Sequence, residues 1–157
     1  MKDERTWLDQ AAKEAKRGIL KKDGGPFGAV IVKEGQLIAK AHNEVLKQND
    51  PTAHAEILAI RRAAKKLGSF ELKGCELFTT CEPCPMCLGA ILWARLDRVV
   101  YGVDRNEAAR IGFDDRAFYR YLSGEDRKNW LSMTQIDSDP CSEVMRLWQD
   151  DPRKKIY

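Results

Sequence analysis

CELFTTCEPCPMCLGAILWA, residues 75–94, falls into two halves of different character. Cys75 to Thr80 is rich in strand formers and reads as a β-strand. Pro83 and Pro85 flank Cys84, which suits the first turn of a helix running to Ala94. A strand feeding directly into a helix is the unit of an α/β domain. Upstream, a helix is predicted over Ala53 to Leu67, stopped by Gly68. A polar loop, Asn43 to Thr52, precedes it. Phe27 to Val32 is short and nearly all apolar, the pattern of a buried strand. Glu34-Gly35-Gln36 turns it into a second strand, Leu37 to Ala41. Glu4 to Leu20 carries Trp7, Leu8, Ala11, Ala12, Ala15 and Ile19 at helical spacing, and Gly24-Gly25-Pro26 ends that helix. Downstream, Arg98 to Val103 is a fourth strand. Glu107 to Arg110 and Arg116 to Leu122 are short helices, Met133 to Ile136 a fifth strand, and Pro140 to Gln149 a last helix. The order predicts one domain over residues 1–157: a three-layer α/β/α sandwich with a mixed five-stranded sheet.

The chain's 157 residues, 43% hydrophobic and 32% charged, suffice for one packed core and exclude dominant disorder. No apolar run approaches the ~18–20 residues of a membrane span. Lys and Arg number 27 against 24 Asp and Glu, a net charge of +3, which does not argue for a nucleic-acid partner. The N-terminus shows no apolar signal region, so a cytoplasmic location is expected. Three of the five cysteines, Cys81, Cys84 and Cys87, crowd into seven residues. Such crowding points to metal or redox chemistry rather than a disulfide framework.

Cys84-x-x-Cys87 at a helix start puts two sulfurs on one face, where free backbone N–H groups favour thiolates. His54, thirty residues earlier, adds a nitrogen. One nitrogen and two sulfurs suit zinc, at ~2.0 and ~2.3 Å, and leave a fourth position for water. Glu56 stands two residues from His54, not on the same helix face, and is the candidate base rather than a fourth ligand. His-x-Glu followed by Pro-Cys-x-x-Cys is the zinc deaminase signature. A closed Cys₃His structural site using Cys81 is the competing arrangement, although a strand-ending Cys81 should point away. An iron–sulfur site fails because Ile91 stands where the fourth cysteine would be. Cys75 and Cys141 read as small core residues, and His42 as a loop or wall residue.

These residues resemble the cytidine deaminase-like zinc deaminase superfamily and, within it, the small bacterial guanine deaminases. The likeness rests on residues 24–32 (GGPFGAVIV), 49–56 (NDPTAHAE), 81–95, 111–115 (IGFDD) and the terminal Tyr157. It implies one zinc per subunit on His54, Cys84 and Cys87, with Glu56 shuttling protons. It implies hydrolysis of guanine to xanthine and ammonia by attack of zinc hydroxide at C2. Guanine presents N–H donors beside that carbon, so the pocket needs an acceptor. Asp115 is the candidate, and Asp114 is the neighbour better suited to capping a helix. The resemblance further places Phe27 on the purine face, Asn43 on a ring nitrogen or carbonyl, and Ala55, Trp93 and Tyr157 around the substrate. It also implies a homodimer in which the C-terminal segment, about 138–157, crosses to close the partner's site.

Three readings compete. A tRNA adenosine deaminase shares the zinc motif but would need a basic surface, and Arg153 to Lys155 is only a short basic run. Deaminases of cytosine, triazines or related rings share the whole mechanism. A structural-zinc interaction module would recruit Cys81 and have no use for Glu56.

Overall fold

A computed structural model describes residues 3–125 and 131–157. Helices and strands follow as α1 (Glu4–Lys21), β1 (Gly28–Lys33), β2 (Gln36–His42), α2 (Val45–Gln48), α3 (Ala55–Leu67), β3 (Cys75–Cys81), α4 (Pro85–Trp93), β4 (Arg98–Val103), α5 (Arg105–Arg110), α6 (Arg116–Ser123) and α7 (Asp139–Asp150). The sheet order is β2-β1-β3-β4. β1 pairs antiparallel with both β2 and β3, while β3 and β4 run parallel with α4 as their crossover. The sheet is therefore mixed, as expected.

Strand periodicity splits the core in two. Ala29, Ile31 and Leu77 pack with Leu58, Ala59 and Ile91 on the α3 and α4 side. Val30, Val32 and Phe78 pack with Trp7 and Ala11 on the α1 side. β1 is covered on both faces, which explains its unbroken apolar run. Gly28 lets α1 lie directly on β1: a Cβ there would come within 2.1 Å of the Ala11 carbonyl oxygen. Glu34 and Gly35 both take positive φ, 49° and 71°, the two-residue hairpin turn that matches strand twist.

Four expectations need correction. Residues 43–52, expected as a loop, hold the one-turn helix α2. The sheet has four strands among the described residues, not five. Residues 133–136 are irregular, and Met133 and Ile136 are 77% and 81% exposed. Their apolar positions fall three apart rather than alternating, and a strand with no ladder partner cannot satisfy its backbone. Ile19 is half exposed, because the buried face of α1 runs through Glu14, Ala15 and Gly18 instead. Cys141 is exposed rather than core, as is every other residue of α7. Among the described residues no helix is long and apolar enough to cross a membrane.

Candidate active site

Two helix N-termini converge at the open end of the sheet. His54 is the N-cap of α3 and Cys84 the N-cap of α4, both with extended backbone. Pro85 follows as the first helical residue, where its missing N–H costs nothing. Both caps turn their side chains into the gap, and Cys87 reaches it from the first turn of α4. His54 Nδ1 lies 3.6 Å from Cys84 Sγ and 3.5 Å from Cys87 Sγ. All three ligand atoms fall within 4.8 Å of one another. Zinc bonds of about 2.0 and 2.3 Å at a tetrahedral angle place nitrogen and sulfur about 3.5 Å apart. The three residues therefore fit zinc without rearrangement. Cys81 does not join them. Its Sγ lies 3.9 Å from the Asp104 carbonyl oxygen, and burial pushes its thiol up to about 11.

Charge in this gap asks for a cation. A hydrogen bond from Cys87 holds the Cys84 thiol down at about 4 against the effect of burial, with His54 helping. The same bond, with burial, drives the Cys87 thiol up. Only one sulfur can ionise unless a positive ion is shared between them. His54 is raised by its contact with Cys84, against burial.

Glu56 sits in the first turn of α3, only 5% exposed. Its Oε1 accepts from Thr79 Oγ1 at 3.1 Å, and its Oε2 lies 3.5 Å from Cys87 Sγ. Burial raises its pKa, with His54 opposing. A carboxyl raised this way holds a proton more readily than a solvated one, which suits a group that must take and return one.

His54, Glu56 and Cys84 open onto a cavity of about 300 Å³, also lined by Phe27, Asp114 and Asp115. That is the small end of ligand pockets, with room for one heterocycle. Phe27 and Phe113 meet edge to face at 4.9 Å. Phe113, Phe118, Arg105 and Glu82 also line it and were not singled out from sequence. Phe113 lies inside the 111–115 motif, so a signal existed. Glu82 likewise lies inside the 81–95 motif, whereas Arg105 carried no signal, because its pairing with Glu82 joins residues 23 apart. Arg105 bonds Glu82 through its backbone N–H, Nε and Nη2 and stacks 4.0 Å above Tyr119, whose hydroxyl donates to the Pro83 carbonyl at 2.9 Å. This clamp fastens the α5–α6 arm to the loop that carries Cys84.

Four expected substrate residues lie off this cavity. Asn43 is buried, with its Oδ1 accepting from the N–H groups of Gly25 and Val45. Ala55 is fully buried in the first turn of α3. Trp93 and Tyr157 meet at 6.0 Å in a shallow groove between α3 and α4 that also holds Phe70.

Residues 1–103 match the family model for the cytidine and deoxycytidylate deaminase zinc-binding region. The chain is 44% identical to guanine deaminase of Bacillus subtilis (strain 168), over 97% of each sequence. It is 33% identical to a tRNA-specific adenosine deaminase of Streptococcus pyogenes serotype M1, over 99% of this chain and 90% of that one. The X-ray structure of guanine deaminase from Bacillus subtilis superposes with a TM-score of 0.94 at 43% identity, covering 99% of both chains.

Proposed function

Because the chain belongs to the cytidine and deoxycytidylate deaminase zinc-binding family, we propose that it hydrolyses guanine to xanthine and ammonia, a step of purine breakdown. The observation that carries this reading is the joint placement on one small cavity of the zinc ligands His54 and Cys84, the buried Glu56 and the partly buried Asp115. Guanine offers N–H donors at N1 and at the amine on C2. Adenosine has no N1–H, so a carboxylate acceptor beside the reacting carbon favours guanine.

Zinc, when bound by His54, Cys84 and Cys87, supplies a Lewis acid that makes water nucleophilic near neutral pH. Glu56 takes one proton from the water and gives it to the ring nitrogen as the C2–O bond forms, then takes the proton of the new C2 hydroxyl and gives it to the amine as the C2–N bond breaks. One water is consumed and one ammonia released. Asp115 accepts from the base's N–H groups and sets its orientation. Phe27 and Phe113 supply apolar walls that exclude bulk water. Asn43 does not line the cavity: its side-chain carbonyl accepts from Gly25 and its N–H donates to the Phe27 carbonyl, so it holds that wall in place.

The chain acts as one deaminase domain whose segment from about 138 to 157 reaches a second copy in a homodimer. Two features support this. α7 leaves Val144, Met145, Leu147 and Trp148 exposed, and Trp93 and Tyr157 sit away from their own chain's cavity. In the dimer these two aromatic residues close the partner's site.

Ammonia release by the zinc-loaded protein from free bases, nucleosides and a tRNA tests the reading. Guanine is expected to react, with xanthine formed, and Glu56→Gln to lose about a thousandfold in turnover while keeping its zinc. Release only from adenosine in tRNA, or only from another amino-heterocycle, would discard the role of Asp115. Tight zinc with no release from any substrate would favour a structural centre.

A further inference from the structure

Thr79 is a polar side chain in the one place of the fold where valine would be the default. It stands in β3, with β1 on one side and β4 on the other, and is 0% exposed. Alternation along β3 turns it to the same face as Leu77, toward α3. A hydroxyl buried this completely needs a partner, and two oxygens are in reach. Glu56 Oε1 lies at 3.1 Å and the Gly28 carbonyl at 3.4 Å. The single hydroxyl proton is better spent on the nearer group, which is also the one able to carry charge.

We propose that Thr79 is a positioning residue: its hydroxyl holds Glu56 Oε1 and so fixes the carboxylate plane, leaving Oε2 as the oxygen that exchanges protons. Oε2 lies on the metal side, 3.5 Å from Cys87 Sγ. Cys87 Sγ can donate to Oε2 only while it keeps its proton, and a zinc-ligating thiolate has none, so Oε1 carries the lasting bond. A side chain rooted in α3 would otherwise turn about its terminal bond, a broad rotation with no strong preferred angle. Thr79 is rooted in the sheet, so its bond references the carboxylate to the most rigid part of the fold. Misplacement of a proton-transfer group by a fraction of an ångström slows the chemistry without weakening substrate binding.

This inference rests on Glu56 as the proton shuttle, and the experiment separates the two. Thr79→Val keeps the shape and removes the hydroxyl, while Thr79→Ser keeps the hydroxyl. Both are assayed as zinc-loaded protein with guanine, with zinc content and melting temperature measured alongside. The valine variant is expected to hold one zinc, keep KM within about twofold and lose about tenfold in kcat. The serine variant should recover kcat to within about threefold of the parent. In a Glu56→Gln background the valine change should cost nothing further, because its effect passes through that carboxylate. Unchanged kcat in Thr79→Val, or equal losses in the serine and valine variants, would overturn the proposal. Should the valine variant not fold, Thr79→Ala against Thr79→Ser gives the same comparison. If Glu56→Gln alone keeps full turnover, the shuttle reading is what fails. If Glu56→Gln is inactive and Thr79→Val is not impaired, only the Thr79 proposal falls.

Discussion

Asp114 and Asp115 are neighbours in sequence and differ in everything that matters for reading a base. Arg116 occupies Asp114 from three directions, through its backbone N–H and Nε to Oδ1 at 3.1 and 2.8 Å and through Nη2 to Oδ2 at 2.6 Å. Those bonds hold the Asp114 carboxyl down at about 2, a settled turn residue. Burial raises the Asp115 carboxyl, and the charge of Cys84 adds to that, with Arg105 opposing. An acceptor already short of partners gains most when a ligand brings N–H donors. Asp115→Asn is therefore expected to lower kcat/KM for guanine about 30- to 100-fold with zinc content unchanged, and Asp114→Asn to change it less than about threefold. Equal effects of the two, measured by xanthine formation, would remove Asp115 from recognition. The sequence could rank this pair only by analogy, since the choice is made by the local turn that gives Arg116 to one of them. His54, Cys84 and Cys87 were legible because ligand spacing at a helix start is itself the geometry.

At the scale of elements, the end of β2 is tied to α1, α2 and α3 by a buried cluster of charges. His42 Nε2 lies 2.8 Å from Asp23 Oδ2, and its Nδ1 faces Glu14 at 3.5 Å. Glu44 accepts from Gln48 at 2.7 Å, Arg62 at 3.0 Å and Lys47 at 3.2 Å. Asn43 stands between these two anchors, and its N–H donates to the Phe27 carbonyl. Burial pushes the Glu44 carboxyl up, but the bonds from Gln48, Lys47 and Arg62 outweigh it and hold the group at about 2. A carboxyl depressed on folding stabilises the native state above its unfolded value of 4.5 and loses that contribution as pH falls through about 2. Glu44→Gln should cost about 1–2 kcal/mol at pH 7, discounted because Lys47 and Arg62 are half exposed. The gap between parent and variant in urea unfolding should close as pH drops from 4.5 toward 2. A gap that stays constant over that range would show that the charge contributes nothing. His42 read from sequence as a lone wall residue, because Glu14 and Asp23 are distant along the chain and only the packing of α1 on the sheet assembles them. The first four strands and the helices other than α2, which falls in the stretch expected as a polar loop, were legible from period and turn residues, whereas the expected fifth strand had apolar residues without alternation.

Across the whole molecule, apolar surface is left where a monomer has no use for it. α4 exposes Leu88, Leu92 and Trp93, edge strand β4 exposes Tyr101 and Val103, and α7 exposes four large side chains along a helix that is nowhere buried. Surface of that kind marks a partner. The helix was legible in the sequence, but what faces it was not, since among the described residues none covers it. Tyr157 ends the chain against Phe70 and Trp93, outside the cavity of its own subunit. A crossed tail makes each site depend on two chains, which predicts complementation. Deleting Arg153 to Tyr157 should leave folding and zinc content intact and lower guanine turnover at least about tenfold. Mixing that variant with inactive Glu56→Gln protein, under conditions that exchange subunits, should restore activity. The truncated chain keeps Glu56, and the Glu56→Gln chain lends its tail. Each mixed dimer then holds one complete site, so recovery approaches about half per dimer. Sedimentation of the parent as a monomer, full activity after the deletion, or no recovery on mixing would each rule out a site closed by the second copy.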